Sequence, residues 1–293
     1  MKIVVATDSA SGITQEEANK LGVPILPVPF IINGNEYLEN INMTKTKFYK
    51  MLEEDATIST SQPSYTALTE FFNQILEDSD ALIYIPLSSG LSGSCQTAMM
   101  IAAEEYEGKV WIVNNQRISV SQRQAVLDAL ELIQQGKTPQ EIHDTLMNMK
   151  FDSSIYIMLD TLKYLAKGGR LTPAAAVIGN VLNLKPVLQI QGEKLDAFAK
   201  TRGYKKGTKI MLDALRNDLS GRYHSYDEKG EMYLQIAHTN CLDRAFELKE
   251  KMEQEFPGYE IFLTDLPLEI SCHLGEGALG VACTRKIDGH EKK

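Results

Sequence analysis

Ten consecutive residues, Leu87-Ser88-Ser89-Gly90-Leu91-Ser92-Gly93-Ser94-Cys95-Gln96, hold four serines and two glycines. Hydroxyls are neutral hydrogen-bond donors, and glycine lets a backbone come close to a ligand. The apolar run 81–86 before them reads as a buried parallel strand, and the apolar-periodic segment 97–103 after them as a helix. A strand end that feeds a helix start is where open α/β sheets bind ligands, because the first helical N–H groups are unpaired and the dipole is positive there. No Lys or Arg lies in the stretch, so it suits a small carboxylate better than a polyphosphate. The same residues also fit a serine-rich turn that only caps its helix.

A second candidate is His273, directly ahead of Gly275-Glu276-Gly277-Ala278-Leu279-Gly280. The glycines match GxGxxG, but only 13 residues follow Gly280, too few for the βαβ unit and ribose-binding acid of a dinucleotide site. Nicotinamide and flavin are therefore not expected, and no cofactor is. What survives is a glycine-rich turn where an imidazole nitrogen beside exposed amides can help hold an anion. A plain surface histidine in a tight turn fits equally well. The other histidines lie too far apart for a metal site, and neither HExxH nor a P-loop occurs. GxSxG almost appears at Gly90-Leu91-Ser92-Gly93, with its second glycine one residue early. Lys200, Arg202, Lys205, Lys206 and Lys209 form a basic run, either a solvated face or a docking patch for an acidic partner or a phosphate.

The elements that position these residues follow from the rest of the chain. Its 293 residues suffice for two domains, and a net charge of −9 argues against nucleic acid as a partner. Four cysteines without CxxC spacing read as free thiols in a reducing cytoplasm. No segment is apolar and long enough for a signal peptide or a membrane span, so at most transient membrane contact is expected. Up to about residue 152, strands alternate with helices. Thr7-Asp8-Ser9 ends the first strand, Asn33-Gly34 makes a hairpin, and Thr44 and Thr138 cap helices. Segment 23–32 is extended but kept at a sheet edge by three prolines.

From residue 153 the texture changes. Strand 155–160 leads to a short helix stopped at Gly168-Gly169-Arg170, then an alanine-rich, largely uncharged helix over 172–182. A hairpin over 185–199 follows. Asn240 is expected to cap a charged helix to Phe256, and 259–264 is the last clear strand. The fold class is thus α/β: an N-terminal doubly wound parallel-sheet domain, 1–152, and a C-terminal α+β domain, 153–293, with a largely antiparallel sheet and the ligand between them.

Taken together the segments resemble the DegV family of fatty-acid-binding proteins. The likeness is carried in order by Thr7-Asp8-Ser9, Thr60-Ser61-Gln62-Pro63-Ser64, Ser88-Ser89-Gly90-Leu91-Ser92-Gly93, Asp160-Thr161-Leu162 through Gly168-Gly169-Arg170, Asn183-Leu184-Lys185-Pro186, Lys200-Thr201-Arg202-Gly203 and His273 with its glycine turn. The resemblance implies a long-chain fatty acid in a buried tunnel, presented to a partner fatty acid kinase. It implies a carboxylate held by Thr60, Ser92 and His273 with Ser61 and Ser94 as neighbours, and Arg170 and Arg202 near the headgroup or the kinase-facing surface. Two positions depart from the family pattern. Glu276 stands where proline is common, which adds a carboxylate near the proposed site, and Gly12 stands where an acid is common. The physics of a lipid agrees: the tail supplies affinity, and neutral donors satisfy the head without a buried cation. Segments 155–159 and 174–182 are candidates to cover the tail, and ordinary core suits most of the same residues. The rival reading is a serine-dependent hydrolase or acyl transferase, with Ser92 as nucleophile and His273 as base. A lipid-responsive regulator is a third, unsupported by any DNA-reading motif.

Overall fold

A computed structural model describes residues 1–170, 172 and 184–287. In chain order its strands are β1 (Ile3–Asp8), β2 (Ile25–Leu26), β3 (Phe30–Ile32), β4 (Asn35–Tyr37), β5 (Ile58–Thr60), β6 (Ala81–Ile85), β7 (Val110–Ile112), β8 (Ser153–Met158), β9 (Lys185–Ile190), β10 (Asp196–Thr201), β11 (Met232–His238), β12 (Ile261–Asp265) and β13 (Leu279–Arg285). The chain separates into two compact units. One contains Met1–Pro29, Ser61–Phe151 and, at the end of the described chain, Lys286 and Ile287; the other contains Phe30–Thr60 and the described residues of Asp152–Arg285.

The first unit is built on a parallel sheet in the order β2-β1-β6-β7. Every residue of β6 is buried, as expected for a strand covered on both faces. Side chains alternate across it. Leu82 and Tyr84 join Leu68 and Phe72 of the helix Tyr65–Leu76 and Ala98 and Ile101 of the helix Ser94–Glu105. Ile83 and Ile85 join Val126 and Ala129 of the helix Ser119–Gln134 and Leu146 of the helix Pro139–Asn148. Helices on both faces of a parallel sheet are the doubly wound arrangement expected from the strand–helix alternation. Ser64 and Thr138 accept backbone N–H groups as N-caps.

In the second unit a six-stranded sheet runs β10-β9-β8-β13-β11-β12, antiparallel throughout except β11 beside β12. That parallel pair is bridged by the helix Leu242–Glu255, which packs Leu248 and Met252 with Met211 and Leu215 of the helix Tyr204–Ser220 against Tyr156, Leu234 and Val281. A smaller antiparallel sheet, β4-β3-β5, closes through Asn33 and Gly34, both at positive φ.

Several expectations are corrected. The two-segment division at 152/153 does not match the contact pattern, because 30–60 joins the second unit. Phe30, Ile32, Phe48 and Tyr49 share a core with Leu268 and Cys272, and such packing between residues far apart in sequence leaves no local trace. The extended segment 23–32 splits into two strands: β2 does lie at a sheet edge, whereas β3 is the middle strand of the small sheet. Among the described residues the last strand is β13, not 259–264, and it sits between β8 and β11. Its glycine and alanine content hid it. Asn240 does not cap the helix Leu242–Glu255; it has φ 46° and donates through Nδ2 to Glu276 at 2.6 Å. The alanine-rich helix expected over 172–182 falls almost wholly outside the described residues, which include only Thr172 of it.

Candidate functional site

His273 belongs to a helix, Leu268–Leu274, and not to a turn. Contacts at its start fix its pose. Glu39 accepts the Leu268 N–H at 2.8 Å, Tyr49 donates to Ser271 Oγ at 3.1 Å, and Leu268 and Cys272 are buried in the aromatic core beside Phe30 and Phe48. Gly275 ends the helix at φ 73°, and a Cβ there would come within 2.6 Å of the Tyr164 ring. The helix so held brings His273 Nε2 to 2.9 Å from Thr60 Oγ1, the last side chain of β5. β5 is itself in register with β3 through Thr60 opposite Phe30.

Thr60 and His273 line a cavity of about 190 Å³ together with residues 55–59, Lys163, Tyr164, Arg170 and Cys272. Burial, and next to it the positive charge of Arg170, push the His273 imidazole down to about 4. The ring is therefore neutral at physiological pH, and the pair leaves one donor over in either tautomer. If Nε2–H donates to Thr60, the threonine proton points elsewhere; if Thr60 donates to Nε2, Nδ1–H is left. The same depressed basicity makes His273 a weak general base, which counts against the hydrolase reading. The expectation of a head site without cations needs amending, since Arg170 and Lys163 both line the cavity, Lys163 in an ion pair with Asp55. Glu276 does not line it; its carboxylate accepts from Asn240.

The serine loop lies in the first unit at the carboxyl end of β6, between strand and helix as its sequence indicated. Ser88 O accepts the N–H groups of Leu91 and Ser92 at 3.0 and 3.1 Å. Ser92 Oγ accepts the Ser94 N–H at 3.2 Å, which leaves the Ser92 hydroxyl proton available to a ligand. Asn114 brackets Ser89, accepting its N–H and donating to its Oγ. Ser61 Oγ and Ser94 Oγ are buried and have no partner among the described residues. A Cβ at Gly93 would stand 2.5 Å from Gln62 Oε1, the tip of an exposed side chain that can turn aside, so the two loops approach closely without requiring glycine there.

The structure thus joins Thr60 to His273 and sets Arg170 on the same cavity, all within the second unit, while Ser61, Ser92 and Ser94 belong to the first. Arg202 follows β10, is exposed, and makes no hydrogen bond or ion pair among the described residues; Lys200, Lys205, Lys206 and Lys209 are exposed too. Sequence reasoning did not find Lys163, Tyr164 or residues 55–59, which carry no motif. GxGxxG fails as a dinucleotide site for a structural reason as well: helix, glycines and strand occur in the reverse of the required order. Among the described residues no group of three or more His, Cys, Asp or Glu is placed to hold a metal, and no helix is long and apolar enough to cross a membrane.

Residues 2–286 match the family model described as "Uncharacterised protein, DegV family". Protein DegV of Bacillus subtilis is 30% identical over 284 residues, covering 96% of this chain and 98% of that protein. The solved structure of DegV from Bacillus subtilis, described as a fatty acid binding protein, superposes with a TM-score of 0.86 at 30% identity, covering 98% of this chain and 100% of that one. A DegV family protein from Thermus thermophilus, solved for its fatty acid binding, gives 0.86 at 29% identity, covering 97% of this chain and 100% of that one.

Proposed function

This chain belongs to the DegV family, and from that premise we propose that it is a binding protein for a long-chain fatty acid, without catalysis of its own. The observation that carries the reading is the neutral Thr60–His273 pair on its cavity, with a donor to spare and Arg170 alongside. A carboxylate accepts such donors, and charge-assisted hydrogen bonds of this kind are among the stronger ones. Relatives at about this identity whose structures are solved are fatty acid binders. Thr60 and His273 are the proposed donors to the carboxylate, and the uncommitted hydroxyl protons of Ser61, Ser92 and Ser94 are further candidates for that role. The acyl tail supplies most of the affinity, about 0.8 kcal/mol for each methylene covered.

The finer part of the proposal is that the bound acid is presented, in the cytoplasm, to a partner fatty acid kinase that forms the acyl phosphate. Arg170 serves the headgroup and the exposed Arg202 the partner. Native mass spectrometry of the protein from a bacterial host, with titration of the stripped protein, tests the binding. A retained fatty acid is expected; an empty protein that also fails to bind on titration refutes it. Acyl phosphate formation by a fatty acid kinase with ATP, with and without this chain, tests the presentation, and equal rates would refute that step alone.

A further inference from the structure

The binding reading makes no use of Thr7-Asp8-Ser9. Asp8 ends β1 with no exposed surface. Its carboxylate accepts the Leu87 N–H at 2.8 Å and a Gln122 Nε2–H at 2.8 Å. Leu87 is the first residue of the serine loop. Gln122, fully buried on the helix Ser119–Gln134, also donates toward Thr7 Oγ1 at 3.0 Å and Ile85 O at 3.1 Å, while its Oε1 has no partner among the described residues. One carboxylate therefore ties the ends of β1 and β6 to a helix on the sheet's other flank.

Only an ionised acid accepts from both sides without bringing a hydrogen of its own into the knot. A protonated Asp8, or an asparagine, brings one or two. Among the described residues no lysine or arginine acts on the group: Tyr84 on β6 and Cys95 on the helix Ser94–Glu105 are its titratable neighbours, and burial keeps both uncharged at neutral pH. Desolvation outweighs the donated hydrogen bonds and pushes Asp8 up to about 6. A buried charge without a counter-ion is costly, and such sites cluster where geometry serves function.

We propose that Asp8 is a positioning residue for the ligand head: its ionised carboxylate, by holding Leu87 N–H, sets the loop in which Ser92 and Ser94 present their hydroxyls. The relay is short. Leu87 leads directly into Ser88, Ser88 O accepts the Ser92 N–H, and Ser92 Oγ accepts the Ser94 N–H, which leaves its own proton for a ligand. The inference rests on the fatty acid reading above, because it gives those hydroxyls their ligand.

The test uses the full-length chain and two probes, palmitate and its uncharged methyl ester. Asp8→Asn is expected to weaken palmitate about tenfold, the loss of roughly one charge-assisted hydrogen bond, and to leave the ester within about twofold. The preference of the unmodified protein for palmitate should also fall as pH is lowered through about 6, over and above any change in the variant, which controls for the titration of palmitate itself. Equal weakening of both probes, or of neither, overturns the inference. If Asp8→Asn does not fold, Gln122→Met removes one donor to the carboxylate and should move the midpoint of that pH profile upward; an unmoved midpoint overturns the inference. Ser92→Ala separates the two levels. Weaker palmitate binding there with none at Asp8→Asn refutes Asp8 alone; no weakening at Ser92→Ala takes that hydroxyl out of the head site and overturns the inference, while the fatty acid reading is refuted only by a protein that neither retains nor binds the acid.

Discussion

Asp8, fully buried, and His273, half-buried on its cavity, are groups whose neutral forms the fold favours, and they act on stability in opposite directions. Asp8 is raised from 3.8 to about 6, so its contribution is full below about 4 and lost as pH rises through about 6. His273 is lowered from 6.5 to about 4, so its contribution is full above about 6.5 and lost as pH falls through about 4. Each is worth about 3 kcal/mol at most, and over the shared window they largely cancel. Asp8→Asn should therefore leave a urea midpoint that climbs with pH, and His273→Gln one that declines. Midpoints measured at about pH 4.5 and about pH 7 check the signs, and parallel behaviour of the two variants would contradict them. For binding, Ser92→Ala and His273→Ala are each expected to cost about 1 to 3 kcal/mol of fatty acid affinity by titration calorimetry. Unchanged affinity in both would remove these side chains from the head site.

At the level of elements, the helix Leu268–Leu274 decides where His273 points, and its two ends are held by different means. Glu39 and Tyr49 hold the start, and the positive φ of Gly275 against the Tyr164 ring sets the end. Gly275→Ala combines a disfavoured backbone with a 2.6 Å approach to that ring, so it should cost about 1 to 3 kcal/mol in denaturant unfolding and weaken the ligand as well. A variant of undiminished stability and affinity would show that the helix end does not place the imidazole. Much of this scale was legible beforehand. Thr44 and Thr138 cap helices as their types and spacing indicate, and Asn33-Gly34 makes its hairpin, because caps and tight turns are local chemistry. The misses are β13, buried on both faces so that no alternation shows, and the short helix Leu268–Leu274, buried at all but one of its seven residues.

In the whole molecule the segment 30–60 is the telling case. It is threaded between two stretches of the first unit, yet its apolar side chains complete a core of the second. Phe48, T-shaped to Phe30 at 5.8 Å and to Tyr49 at 5.1 Å, is a keystone of that core. Phe48→Ala should cost about 3 to 5 kcal/mol and speed hydrogen exchange in the helix Leu268–Leu274, while amides of β1 and β6 keep their protection. Loss of protection in β1 and β6 to the same extent would contradict the division. The sequence by itself determined the parallel and antiparallel halves, the serine loop between strand and helix, and the poverty of that loop in cations, since periodicity, capping and side-chain type act within a few residues. Tertiary structure alone decided that 30–60 joins the second unit, that Thr60 meets His273, and that Arg170 and Asp8 act on the groups they do. Those pairings span tens to hundreds of residues, and burial, which sets their protonation, is a property of packed neighbours that no single stretch of chain contains.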